Sequence, residues 1–311
     1  MNLLAQRRTF LRFSLGGVAA LSLQAVVGNN ALAQASADTT QLRDSLLVIN
    51  AGGTNVVVCN TSEGLVLVDS GTAAYSAQLL EMLKDINPAG VHTLFNTHWH
   101  LDQCGGNEAI GTGGASIIAH AKSWQRLSTE YYLPQEERYH KPLPAAGRPT
   151  VKVHDKGTLQ IGDTAVECGT LIEPHTDGDI YVHFRAANVL AAGGAVAGKQ
   201  DPDLDWYGGG WLGGRANSLD ALVQLTNANT LIIPANGSVM TQADLIAERD
   251  MTHELYKRLN TLIRKGCSAD CMQQEGALAG LSHSWQDPNK FLYAAYKGLW
   301  AHHYNLAADI L

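Results

Sequence analysis

The sequence predicts an α/β fold in which two β-rich halves face each other and helices cover the outside. Short runs rich in Val and Leu are separated by Gly, Asn and Asp turns, and segments with helical periodicity follow them. This order, strands first and then alternating strands and helices, occurs twice along the chain. With 45% hydrophobic and 16% charged residues, the chain can bury a large core as one domain or as two closely joined halves.

In the first half, residues 45–71 predict three strands joined by tight turns. Apolar residues at helical spacing then predict a helix over 73–86, and a strand follows at 91–96. We expect a further strand over 115–120, a helix over 121–132 and a Pro-rich loop over 133–150.

The second half begins with a predicted hairpin over 158–172 that turns at Gly162 and Asp163. The remaining expectations are strands at 179–184, 188–193 and 230–235, and helices at 218–228, about 241–265 and 289–306. Domain 36–311 is therefore expected to end in helices.

The N-terminus has the pattern of an export signal. Arg7 and Arg8 precede an uncharged apolar run over 15–28 that is too short to span a bilayer, and small residues allow cleavage after Ala33 or Ala35. The arginine pair resembles a twin-arginine signal, although an ordinary secretory signal has similar charges. We expect residues 1–35 to be a signal peptide read by the twin-arginine export machinery, giving a periplasmic or secreted protein without a stable membrane anchor.

Charge and cysteine content narrow the possible partners. The net charge is −7 and becomes more negative once the signal peptide is removed, which gives no electrostatic case for nucleic acid. Five cysteines in an oxidising compartment leave at least one unpaired within a monomer. Cys267 and Cys271 are the most favourable local pair, although spacing alone does not establish the bond.

The stretch "NTHWHLDQCGGN", residues 96–107, carries the chemistry. His98 and His100 point the same way in extended backbone, and Asp102 falls on the same side. His175, in a loop that leads into a strand, is the candidate third ligand. Three imidazoles with an open fourth position are typical of a catalytic zinc site. The alternative is that these are loop histidines with no common ligand.

These segments resemble the metallo-β-lactamase superfamily of hydrolases. "THWHLDQCGGN" is similar to the family's HxHxDH motif and "PHTDGDIYV" to its GHTxGD segment; "VLAAGG" resembles the strand ending in GD, and "LIIPANG" the strand ending in PGHG. The segments occur in the family's order. The resemblance implies a four-layer αββα sandwich with His98, His100 and His175 as metal ligands, and a small-molecule substrate.

The resemblance fails at three positions of the family's second metal site. Gln103, Gly194 and Asn236 stand where a histidine, a bridging aspartate and a second histidine would stand, and only Asp102 remains. One carboxylate and a neutral amide do not hold an ion, so we expect one zinc ion. A compensating ligand is the alternative, with four candidates: Cys104, Asp201, Asp203 and Asp205.

The implied reaction is attack of a zinc-bound hydroxide on the carbonyl carbon of an ester, lactone, amide or thioester, with Asp102 orienting the hydroxide or accepting its proton. The rival hypothesis is a degenerate relative that binds a small molecule or a metal without turnover. The Gly-rich stretch 206–214 is either a mobile flap over the site or a surface loop whose tryptophans pack down.

Overall fold

The computed structural model describes residues 38–133 and 137–308. The signal peptide expected over residues 1–35 lies outside these residues and stays a prediction. The strands in chain order are β1 (Asp38–Arg43), β2 (Leu46–Ala51), β3 (Thr54–Thr61), β4 (Gly64–Val68), β5 (Val91–Asn96), β6 (Ser116–His120), β7 (Tyr131–Leu133), β8 (Arg138–His140), β9 (Val151–Val153), β10 (Gly157–Ile161), β11 (Thr164–Thr170), β12 (Ile180–Phe184), β13 (Val189–Gly193) and β14 (Leu231–Pro234).

The helices are α1 (Ser76–Ile86), α2 (Leu101–Cys104), α3 (Asn107–Thr112), α4 (Ala121–Ser128), α5 (Leu212–Leu225), α6 (Gln242–Arg264), α7 (Ala269–Gln274) and α8 (Pro288–Ala308). The longest helix, α6, begins with a capping box between Thr241 and Asp244, which satisfies backbone N–H groups of its first turn.

Two sheets form the centre of the molecule. The first contains seven strands in the order β1-β2-β3-β4-β5-β6-β9 and the second contains five in the order β10-β11-β12-β13-β14. Neighbouring strands run antiparallel from β1 to β4 and from β10 to β13, and parallel from β4 to β9 and between β13 and β14. The parallel strands bring the chain segments that follow β5, β13 and β14 to one edge of the sandwich.

The two sheets pack face to face through one apolar core. Val57 and Phe95 of the first sheet share this core with Val166 and Val182 of the second. Alternate residues of the same strands point to the opposite faces, as the two-residue period of a strand requires. Val58 and Leu94 therefore belong to a different apolar cluster.

Helices cover both outer faces. Leu79 and Leu83 of α1 and Ile110 of α3 pack on the first sheet, and Leu219 of α5 and Leu245 of α6 pack on the second. The resulting order of layers, helices, sheet, sheet and helices, is the αββα sandwich that the resemblance implies. The expected α/β class is confirmed.

Several short elements differ from the expectations. The helix predicted over 121–132 ends at Ser128, because Tyr131 and the residues after it pair as β7 with β8 inside the stretch expected to be a loop. Aromatic residues favour a strand once a partner is present. Strands β1 and β9 and helix α7 were not predicted. Helix α5 starts at Leu212, six residues before the helix expected from Ser218.

The C-terminal helices share a core of their own. Leu255 and Leu259 of α6 pack with Met272 of α7 and with Phe291 and Leu299 of α8. Cys267 and Cys271 form a disulfide, as the local spacing indicated, whereas Cys59, Cys104 and Cys168 are free and buried. No helix within 38–133 and 137–308 has the length and apolar character needed to cross a bilayer.

Candidate metal centre

The predicted histidines lie at the edge where β5, β13 and β14 end. His98 and His100 follow β5 directly, and His175 lies in the loop between β11 and β12. Ile180, the first residue of β12, donates its N–H to the Thr97 carbonyl at 2.8 Å. This hydrogen bond joins the His175 loop to the His98 segment, so the two sheets hold the three imidazoles in one place.

Asp69 fixes the start of the histidine segment. This buried residue follows β4 with φ of 63°, a conformation that Asp tolerates better than most residues. Its carboxylate accepts from the Thr97 N–H at 2.8 Å and from Thr97 Oγ1 at 2.7 Å. Burial raises the pKa of Asp69 to about 7, against the lowering effect of these two bonds. Asp69 was not recognised in the sequence, although an aspartate at the end of an apolar strand is a usable signal.

The three imidazoles converge. Their ring centroids lie 4.6, 4.8 and 4.9 Å apart, and each pair of rings is close to perpendicular. One nitrogen from each ring lies within 4.8 Å of the others. His98 is 1% exposed and His175 is 4% exposed, so two of the three rings have been removed from water. The structure thus brings together all three residues that the sequence singled out as metal ligands.

The rings of His98 and His100 each have a protein partner on one nitrogen, which leaves the other nitrogen without one among the described residues. Thr97 Oγ1 donates to Asp69, so it accepts from His98 Nδ1 at 3.0 Å and leaves Nε2 with a lone pair. His100 Nε2 lies 3.0 Å from Asp205 Oδ2, which leaves Nδ1. A bound metal needs such neutral, oriented imidazoles.

The His175 loop is shaped by Asp179. Its Oδ2 accepts from the backbone N–H of Thr176 at 2.6 Å and of His175 at 3.3 Å, so the aspartate holds the turn of this loop. Its Oδ1 lies 3.6 Å from His175 Nδ1. The opposite nitrogen, Nε2, lies 3.3 Å from Asp203 Oδ2.

The histidines sit in a strongly negative environment. Burial lowers the pKa of His175, but Asp179 and Asp203 outweigh it and raise this pKa to about 10. The pKa of His98 is lowered by burial and by the neighbouring imidazoles of His175 and His100. The carboxylates thus favour one positive charge among the three histidines, whereas the burial of His98 disfavours a second one. A metal cation supplies that one positive charge while all three imidazoles are neutral.

Asp102 lines the same cavity and lies in the first turn of the short helix α2. Gln103 is fully buried and donates from Nε2 to Asp102 Oδ2 at 3.1 Å. The side-chain amides of Gln103 and Asn236 lie 3.2 Å apart. Two of the three positions that depart from the family's motifs are therefore in contact with each other and, through Gln103, with Asp102.

Gly194, the third of these positions, lies against a histidine. A Cβ added to Gly194 would be 2.1 Å from His175 Nδ1, a distance that no side chain tolerates. The backbone is held in place, because the Gly194 carbonyl accepts from buried Arg215 at 3.1 Å and Arg215 pairs with Glu248 at 2.6 Å. Arg215 therefore stabilises the backbone of the site, and the sequence analysis did not identify it.

The four candidate compensating ligands have different positions. Cys104 is buried and donates from Sγ to the His98 carbonyl at 3.0 Å, and burial raises its pKa well above the usual value. This thiol stays protonated and is a packing residue. Asp201 accepts from His283 and from backbone N–H groups. Asp203 and Asp205 face His175 and His100.

The Gly-rich stretch 206–214 is packed down over most of its length. Trp211 stacks on His302 with ring centroids 3.9 Å apart, and Gly210 would place a Cβ 1.9 Å from the His175 carbonyl oxygen. Residues 212–214 belong to α5. The packed loop is thus observed, in place of the mobile flap.

A cavity of about 70 Å³ opens on the histidine cluster. Its donor set of three imidazoles fits a metal that accepts nitrogen ligands, with zinc among the candidates. His98, His100, His175 and Asp102 line this cavity together with Gly194 and Asn236. A metal-assisted attack on a small substrate is the chemistry that this arrangement supports.

Comparison with known proteins agrees with the site and the fold. The family model described as the Metallo-beta-lactamase superfamily matches residues 49–235. The chain belongs to the metallo-β-lactamase superfamily. The match starts within β2 and ends just after β14, and it includes the three histidines and Asp102 of this metallo-β-lactamase-family chain.

Individual relatives are distant. A metallo-β-lactamase type 2 from Bacillus sp. (strain 170) is 28% identical over 198 residues, which cover 63% of this chain and 72% of the relative. The solved metallo-β-lactamase from Pontibacter korlensis has a TM-score of 0.56 at 20% identity and covers 70% of this chain and 99% of its own. The inverting sec-alkylsulfatase from Pseudomonas sp. reaches 0.63 at 15% identity and covers 86% of this chain and 50% of its own. The two solved structures share the fold.

Proposed function

We propose that this superfamily member is an exported hydrolase that uses one zinc ion to cleave an ester, lactone, amide or thioester. The observation that carries the proposal is the asymmetry of the cavity. Three converging imidazoles line the cavity together with Asp102, whereas Gln103, Asn236 and Gly194 occupy the positions at which the family builds a second ion site. Neutral amides and a glycine do not supply the ligands for that second ion.

In the proposed mechanism His98, His100 and His175 bind the zinc. When bound, zinc supplies a Lewis acid that lowers the pKa of water to about 7. Asp102 accepts the proton of the attacking water. Its Oδ2 already accepts from Gln103, and Oδ1 has no partner among residues 38–133 and 137–308. Gln103 thereby holds the carboxylate so that its free oxygen faces the cavity.

The proposed substrates, which are compounds with a cleavable carbonyl group, are inferred from the chemistry of the site. The Bacillus relative is named as a metallo-β-lactamase, and a β-lactam is a strained amide. β-Lactams therefore belong in the substrate panel beside esters, lactones and thioesters. Family membership does not choose among them, because function depends on the site and its pocket.

Metal content and turnover test the proposal together. The purified mature protein should contain about one zinc per chain and hydrolyse at least one member of a chromogenic panel of esters, thioesters, lactones and β-lactams. His100→Ala removes one of three ligands and should abolish both properties, whereas the same change at exposed His92 should leave them as in the wild type. Zinc without turnover would instead indicate the non-catalytic binding role, and absence of zinc would overturn the proposal.

Export is the part of the proposal that rests on residues 1–35. The Arg7 and Arg8 pair followed by a short apolar run supports passage through the twin-arginine machinery to the periplasm or beyond. Changing both arginines to lysine should leave the full-length precursor in the cytoplasmic fraction. Normal processing of that variant would point to an ordinary secretory signal.

A further inference from the structure

The segment from Asp201 to Asp205 has an aspartate at every second position, and two of the three carboxylates accept hydrogen bonds on both oxygens. Asp201 accepts from His283 Nε2 at 2.8 Å and from the backbone N–H groups of Gln286 and Asp287 at 2.9 and 2.8 Å. Asp205 accepts from His100 Nε2 at 3.0 Å and from the Gly208 N–H at 2.8 Å. Both carboxylates therefore hold the segment in place and already serve as hydrogen-bond acceptors.

Asp203 is different. Among residues 38–133 and 137–308, its carboxylate contacts only His175 Nε2 at 3.3 Å and Lys290 Nζ at 3.8 Å. Its side chain is 59% exposed, yet it lines the same cavity as His98 and His100. Its other polar neighbour, Lys290, is a surface side chain. A carboxylate oxygen with unused lone pairs therefore lies beside the histidine cluster.

The nitrogen next to Asp203 is the one that a metal must use. His175 Nδ1 faces Asp179 on one side and the Gly194 backbone on the other, so only Nε2 is open to the cavity. Two ligand atoms that share one tetrahedral zinc, at about 2.0–2.2 Å each, lie about 3.3–3.5 Å apart. The observed separation of 3.3 Å between His175 Nε2 and Asp203 Oδ2 matches this geometry.

The backbone around Asp203 is anchored on both sides. Leu204 is buried in the core that α6 and α8 form, and the Asp205 N–H donates to the His175 carbonyl at 3.0 Å. Asp201 ties the other side to the segment before α8. The position of the Asp203 carboxylate is thus set by the fold, although the side chain itself is exposed.

We propose that Asp203 is a fourth protein ligand of the metal held by His98, His100 and His175. This assignment rests on the proposed function. It makes the set three imidazoles and one carboxylate, in which Asp203 supplies the negative charge that Gly194, at the position of the family's bridging aspartate, does not supply. Because the side chain is exposed and its backbone is fixed, the carboxylate can leave the metal by side-chain rotation when a substrate enters, without movement of the loop.

The test compares Asp203→Asn with a matched control at an exposed aspartate far along the chain, Asp155→Asn. Both changes remove one negative charge and keep the size of the side chain. Zinc affinity is measured by competition with a chromophoric chelator, and the visible spectrum is recorded after substitution with cobalt. We expect Asp203→Asn to weaken zinc binding by at least about tenfold and to change the cobalt spectrum, with Asp155→Asn matching the wild type in both.

The possible results separate the two proposals. Wild-type protein with one zinc per chain, combined with unchanged zinc affinity and cobalt spectrum in Asp203→Asn, would overturn the assignment of Asp203 and leave the hydrolase proposal intact. An equal loss of affinity in Asp155→Asn would also overturn it, because a general charge effect would then explain the result. Wild-type protein without zinc would overturn the hydrolase proposal and this assignment with it.

Discussion

The two sides of the metal cavity are built from different chemistry on the same scaffold. On the histidine side, His100 and His175 each face a carboxylate, at 3.0 and 3.3 Å. Elsewhere around the cavity, Gln103 and Asn236 meet through neutral amides, and Gly194, next to His175, has no side chain. Charged partners orient ligands and favour a cation, whereas a pair of amides carries no net charge. The comparison teaches that charged side chains lie next to two of the histidines, whereas neutral amides pair with each other at Gln103 and Asn236.

The largest expected effect is at Asp102, where the two sides meet. Asp102→Asn removes the proton acceptor but keeps a side chain of the same size, so we expect kcat to fall by about 10²–10⁴-fold. Because Asp102 is not among the ligands we assign, zinc per chain should stay at one. Steady-state kinetics and elemental analysis of the same preparation check both statements. A variant that loses its zinc would place Asp102 among the metal ligands instead.

A buried histidine away from the site shows what the carboxylates contribute. His183 lies on β12, is 2% exposed and has no hydrogen-bond partner for either ring nitrogen within the described residues. Burial and the nearby Arg185 lower its pKa to about 4, against the raising effect of Glu167. His175, equally buried but facing two carboxylates, has its pKa raised. A buried histidine therefore has a raised pKa where carboxylates outweigh its burial, as at His175, and a lowered pKa where they do not, as at His183.

This contrast predicts a pH-dependent stability. The pKa of His183 is lower in the folded than in the unfolded chain, so the unfolded chain binds the proton first, and stability is lost as pH falls from about 6.5 towards 4. His183→Phe should reduce that loss by about 2 kcal/mol, allowing for some screening. Chemical unfolding at pH 7 and pH 4.5 measures it, with His92→Phe on the exposed surface as the control. An unchanged difference between the two pH values would contradict a neutral, buried His183.

Sequence patterns predicted the parts of the molecule that depend on local spacing. Residues 45–71 gave β2, β3 and β4 because their apolar runs and turns are unambiguous, and α6 was found from its periodicity. Strands β7 and β9 are three residues long. They exist because a partner strand is present, and no local pattern encodes that partner.

The site divides in the same way. The spacing of His98, His100 and Asp102 predicted one cluster, and a second loop supplied His175. The different roles of Asp201, Asp203 and Asp205 could not be predicted, because Asp201 is fixed by His283, 82 residues further along the chain. The contact between Gly194 and the His175 ring is also tertiary. The types of metal ligand can therefore be predicted from the sequence, whereas the residues that orient these ligands can be identified only in the folded structure.

The smallest expected effect is that of Gln103→His on the number of bound zinc ions. Gln103→His restores one ligand type on the amide side, but Asn236 remains an amide and any side chain at Gly194 would collide with His175 Nδ1, at 2.1 Å from Cβ. We therefore expect zinc to stay at one per chain, with turnover lowered because Asp102 loses the Gln103 hydrogen bond. Elemental analysis at saturating zinc measures the stoichiometry. If Gln103→His bound two zinc ions, one added imidazole beside Asp102 would be enough to hold a second ion. Asn236 and Gly194 would then not be what excludes it.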